Sequence, residues 1–125
     1  MAECGLASIA MIASYHGYTL DMPAMRKRFS ANLKGMNLQQ LIELGDSLGL
    51  ASRALQCPID EVHKLATPCI LHWDLNHFVV LTQVSGKGSQ SSKGAKYSIN
   101  DPAVGKRTLT SEECNKHFTG IYLEL

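Results

Sequence analysis

The sequence has almost no excess of charge: 12 Lys and Arg against 11 Asp and Glu leave a net charge of +1. Such a balance provides no field to gather nucleic acid, and the one short basic cluster, Arg26-Lys27-Arg28, reads as a solvated helix face. Long apolar runs are also missing. None approaches the ~18 residues that a helix needs to cross a bilayer, and Met1-Ala2-Glu3-Cys4-Gly5 does not form a signal peptide, so no membrane insertion is expected. Cysteine is limited to Cys4, Cys57, Cys69 and Cys114. With no CxxC pair and no histidine at ligand spacing, they offer no zinc site, and a chain of this size buries enough core to do without disulfides. There is no internal repeat. The run from Gly88 to Gly94 looks superficially like a phosphate loop, but its Lys and Gly occur in the wrong order and no helix follows.

What is there is the composition of an ordinary soluble globular chain, 45% apolar and 18% charged over 125 residues, which predicts a single domain built on one core. From Cys4 to His16, Leu6, Ile9, Ala10 and Ala13 share a helical face, and Gly17 is placed to end the helix. Asp21 caps a second short helix with Pro23 in its first turn, and Asn37 caps a third that carries Leu38, Leu41, Ile42, Leu44 and Leu48. Beyond Gly49 the texture changes. Residues 50–55 read as a strand, Asp60 as the cap of a short helix running through Lys64, and Cys69-Ile70-Leu71-His72-Trp73 as a strand introduced by Pro68. Phe78 to Leu81 and Tyr97 to Ile99 form strands on either side of a turn-rich segment at 85–96. Further strands follow at Lys106 to Leu109 and Ile121 to Leu125, with Thr110 and Glu113 forming a capping box between them. Helices first and antiparallel strands afterwards predict an α+β fold.

A free cysteine is usually a small buried hydrophobe, and only Cys4 departs from that reading by its position. It opens a helix, where unpaired backbone N–H groups favour thiolate over thiol. Cys69 sits in an apolar strand, Cys57 precedes a proline, and Cys114 follows two glutamates whose charges oppose a thiolate. A nucleophilic cysteine needs an imidazole to take its proton, and the imidazole needs a third group to fix its tautomer. Among the histidines, His16 ends the first helix, His72 lies within a strand, and His63 and His117 are expected on short, exposed helices. His77 opens a strand. Asp101 ends the next strand, where Pro102 biases it to an extended backbone, and antiparallel pairing is expected to set it beside His77. Cys4, His77 and Asp101 thus form an ordered nucleophile, base and orienting carboxylate.

Three motifs extend the pattern. Glu3-Cys4-Gly5-Leu6-Ala7 resembles the nucleophile motif of the double-glycine leader peptidases, peptidase family C39. Asn76-His77-Phe78-Val79-Val80-Leu81 resembles that family's histidine motif, and Asp101-Pro102-Ala103 with Gly105 its aspartate motif. The Pro68 to Trp73 segment is similar as well. The resemblance implies a papain-like cysteine peptidase fold in which Cys4 attacks the peptide carbonyl, His77 moves the proton and Asp101 orients His77, with no cofactor or metal. It implies as substrate a secreted peptide precursor whose leader ends in Gly-Gly or Gly-Ala, cut after that pair. An amphipathic leader helix would dock in a hydrophobic groove, for which Trp73 is the candidate substrate-binding residue.

The same resemblance implies a longer protein: an ABC-type peptide exporter with transmembrane and ATPase domains. ATP would belong only to the absent nucleotide-binding domain, and residues 1–125 would form the soluble N-terminal domain on the cytoplasmic side of the bacterial inner membrane. The alternative is a non-catalytic docking domain of a peptide or toxin exporter, although such domains lack the cysteine. A third possibility, an amidase or acyl transferase using the same triad, differs only in the acceptor. Two departures from the family stand out. A helix starting within four residues of Met1 reads as a domain trimmed at its N-terminus. The family's oxyanion glutamine, about six residues before the cysteine, would then be lost, and one such donor is worth ~10²- to 10³-fold in rate. Ser8 stands where the family usually has a second cysteine, a change read as packing.

Overall fold

A computed structural model of the protein describes residues 4–28, 37–75, 77–86 and 94–125. The helical half comprises α1 (Cys4–Tyr15), α2 (Met22–Arg28) and α3 (Leu38–Ser47). Their boundaries follow local chemistry. Gly17, at a φ of +86°, lets the chain leave α1 through a left-handed turn that a side chain would oppose. The Asp21 carboxylate accepts from the Ala24 N–H at 3.3 Å. Asn37 and Gln40 cap α3 reciprocally, each side chain accepting from the other's backbone N–H at 2.9 Å.

The second half is a six-stranded sheet with strands β1 (Arg53–Gln56), β2 (Cys69–Trp73), β3 (His77–Ser85), β4 (Lys96–Asp101), β5 (Gly105–Thr110) and β6 (Phe118–Glu124). Their order is β1-β6-β2-β3-β4-β5, and every pairing is antiparallel. A 3₁₀ segment (Ile59–Lys64) follows β1, and α4 (Ser111–Asn115) precedes β6. Thr110 and Glu113 form the expected capping box on α4. Asp60 does not cap: Pro58 occupies the cap position and Asp60 lies inside the first turn. The segment at 87–93, including most of the Gly88–Gly94 run, lies outside the described residues, as do Glu3 and Asn76.

Period-two alternation in the central strands divides the core between the two faces of the sheet. Ile70, Phe78, Val80 and Leu123 pack with Cys4, Leu6, Ile9 and Ile12 of α1 and with Leu41 and Leu44 of α3. Cys69, Leu71, Trp73, Val79 and Leu81 pack on the other side with Val62, Cys114 and Phe118. Leu6, Ile9 and Ile12 have no residual exposure, each contributing about 1.5–3 kcal/mol through burial. This packing fixes α1 against the strands that carry the candidate chemistry.

Candidate active site

His77 begins β3 and Asp101 ends β4, so both stand at the same end of the sheet. The β3–β4 register pairs Val80 with Asn100 and Leu81 with Ile99. Continued by one residue beyond Val80 and Asn100, it sets Asp101 opposite Val79, with His77 on the diagonal rather than directly alongside. Diagonal neighbours share a face and lie within reach of long side chains. The His77 ring crosses that gap, bringing Nε2 to 2.7 Å from Asp101 Oδ1. Both side chains are largely shielded, 15% and 8% exposed, which strengthens the contact relative to one in open water. Asp101 Oδ1 also accepts from the Ala103 N–H at 2.8 Å, holding the carboxylate in place as the chain turns at Pro102.

A carboxylate only accepts hydrogen bonds, so Nε2 carries the hydrogen that Asp101 receives. In a neutral ring that leaves Nδ1 as the basic nitrogen. A proton from a thiol would therefore arrive at Nδ1 while Nε2 stays held by the carboxylate.

Cys4 is the first residue of α1 and retains 5% exposure. It packs in the apolar cluster that contains Phe78 and Val80 of β3. One turn later, on the same helical face, the buried Ser8 hydroxyl donates to the Phe78 carbonyl at 3.4 Å. The position read as packing is thus a polar tie between the cysteine's helix and the residue after His77. Among the described residues no hydrogen bond joins Cys4 to His77.

The other cysteines are buried and unpaired. Burial pushes the Cys69 and Cys114 thiols up to about 12. For Cys114 the cause is desolvation rather than the adjacent glutamates. Cys57 is also raised, by burial first and then by Glu61 and Asp60. Among the described residues no three acidic, histidine or cysteine side chains converge as a metal site would require.

Two expectations are corrected. Trp73, the candidate groove residue, is only 2% exposed and belongs to the core, which leaves it no face to offer a leader helix. His63, expected to be exposed, is 4% exposed, because the 3₁₀ segment turns it inward beside Val62. An open groove of about 510 Å³ lies instead between α1 and strands β3 to β5, with Met11, Tyr15, Thr82, Ile99, Asn100 and Arg107 among its walls. Nothing in the sequence placed Asn100 or Arg107 opposite Met11 and Tyr15. The groove forms only when α1 lies across the sheet.

Comparison with known proteins agrees with this architecture. The chain is 43% identical over 124 residues to the probable microcin-H47 secretion/processing ATP-binding protein of Escherichia coli. It is 42% identical over 124 residues to the colicin V secretion/processing ATP-binding protein of the same organism. Each match covers 99% of this chain and 17% of the relative, so the chain spans about a sixth of the length of these relatives. Among solved structures it superposes with a TM-score of 0.81 and 32% identity on a double glycine motif protease from an AMS/PCAT transporter in complex with the leader peptide, covering 98% of this chain and 83% of that one. The peptidase domain of Streptococcus ComA shares the fold, with a TM-score of 0.76 at 22% identity, covering 98% of this chain and 90% of that one. The α+β, papain-like architecture accords with these solved structures, the family profile matches residues 1–125, and the chain belongs to the Peptidase C39 family.

Proposed function

We propose that this chain is the peptidase domain of a peptide-exporting ABC transporter, and that it removes leaders from secreted precursors by cutting after a Gly-Gly or Gly-Ala pair. The observation that carries the reading is the 2.7 Å bond from His77 Nε2 to Asp101 Oδ1 in a chain of the Peptidase C39 family. Cys4 supplies the nucleophile. Its Sγ attacks the carbonyl carbon at the end of the leader while His77 Nδ1 takes the thiol proton, and Asp101 steadies the imidazolium. The protonated ring then gives its proton to the departing amine, leaving the leader as a thioester on Cys4. Water, losing a proton to Nδ1, releases the leader as a carboxylate and restores the thiol. Side chains carry each of these steps without a cofactor.

The solved relative bound to its leader peptide supports precursor binding by this fold. In this chain the groove beside α1 is the surface we assign to the leader, because Met11 and Tyr15 offer apolar contacts and Asn100 adjoins Asp101. Export, ATP use and a position on the cytoplasmic side of the membrane belong to the same proposal. They rest on the ATP-binding secretion/processing relatives of which this chain matches a part. No helix among the described residues is long and apolar enough to cross a membrane.

Oxyanion stabilisation on this reading needs a donor beyond the backbone at Cys4. One such donor is worth ~10²- to 10³-fold in rate. The deciding experiment incubates the protein with a double-glycine precursor and weighs the products. Cleavage after the glycine pair that disappears in Cys4→Ala supports the proposal. A precursor left intact by the protein with Cys4 present refutes it, and transfer to an amine in place of water would assign the same residues to an acyl transferase.

A further inference from the structure

The turn that leads into His77 is held in a costly conformation. Asp74 and Leu75, which follow Trp73, have left-handed φ values of 51° and 72°, a region that residues with side chains occupy only when their surroundings impose it. Burial does not impose it here. The Asp74 side chain is 51% exposed, and Leu75 is 80% exposed. His117, in the turn after α4, makes the contacts that do. Its Nδ1 donates to Asp74 Oδ1 at 2.7 Å, and its carbonyl accepts from the Asp74 N–H at 2.9 Å. Its ring stacks on Trp73 with centroids 5.1 Å apart and planes 12° from parallel. Trp73 is in turn the cross-strand partner of His77.

We propose that His117 is a positioning residue for His77: by clamping Asp74 and stacking on Trp73, it fixes the strand start from which the His77 imidazole reaches Asp101. This inference rests on the peptidase reading above and adds to it a residue that touches neither substrate nor thiol. An ion pair with side chains 35% and 51% exposed contributes little to global stability. The clamp should therefore be felt in turnover rather than in folding.

The test uses His117→Ala and His117→Gln in the full chain. Cleavage of a double-glycine precursor is measured per active site titrated with iodoacetamide, and the His77 Nε2–H proton is followed by NMR. In His117→Ala, kcat per titrated site is expected to fall about tenfold with KM unchanged, inside the 10²-fold range that a 1 Å misplacement costs. The His77 Nε2–H signal should broaden. His117→Gln, whose amide still donates to Asp74, should recover most of the rate and sharpen the signal. An unchanged kcat per site, or a loss that appears only as fewer titratable sites, overturns the proposal. If the wild-type chain cuts no precursor, the peptidase reading fails separately. The His77 signal then decides, and its persistence unchanged in His117→Ala overturns the clamp.

Discussion

At the scale of single residues, Asp101 is the side chain whose chemistry the geometry constrains most. One oxygen accepts from both His77 Nε2 and the Ala103 N–H. Asp101→Asn keeps an oxygen that can accept both bonds and loses only the charge. Asp101→Ala loses the acceptor and frees the ring. We therefore expect Asp101→Ala to lower kcat about 10²-fold, as loss of reactive geometry does, and Asp101→Asn to lie between it and the native enzyme. Equal losses in steady-state cleavage would mean that charge, not orientation, is the contribution of Asp101. The four thiols allow a second prediction at this scale. With Cys69 and Cys114 raised to about 12, only about one molecule in 10⁵ carries either thiolate at pH 7, and the thiolate is the reactive form. Brief iodoacetamide treatment of the folded chain should label Cys4 alone, as read by peptide mass spectrometry. The other three should react after unfolding.

At the scale of elements, local chemistry was legible wherever it is self-contained. The Asn37–Gln40 and Thr110–Glu113 capping boxes appear in the structure where residue types at fixed spacing announced them. The strands around Leu71 and Val79 likewise follow from β-branched and apolar runs. Asp60 misled because Pro58 claimed the cap first, and no sequence spacing shows which of two adjacent starts a short 3₁₀ segment will take. His63 and Trp73 misled for a tertiary reason, since their burial depends on which elements pack over them. The caps also lend themselves to measurement. Replacing Asn37 by Ala removes the acceptor for the Gln40 N–H at the start of the helix that buries Leu41 and Leu44. The expected cost is about 1 kcal/mol. In urea denaturation it should appear as a lower midpoint with an unchanged slope, because the surface exposed on unfolding stays the same.

At the scale of the whole molecule, the sequence motifs pointed to a chemistry but not to the distance over which it would be delivered, because the groove exists only where α1 crosses the sheet. Tyr15 lines that groove, and Cys4 opens the same helix. The eleven residue steps from Cys4 to Tyr15 span roughly 16 Å at ~1.5 Å each. A leader docked as a helix against Tyr15 must cross that span in extended form, which takes about five residues at ~3.3 Å each. Shortening and lengthening this spacer are then not equivalent. Deleting three residues ahead of the glycine pair leaves a segment too short to reach Cys4, so cleavage should collapse while the peptide still competes with the native precursor for binding. Inserting three flexible residues adds only a small loop-closure cost, so cleavage should persist within a few-fold. A paired comparison of kcat/KM and inhibition constants for the two precursors checks both halves. Equal damage from deletion and insertion would place the leader on some other surface of the domain.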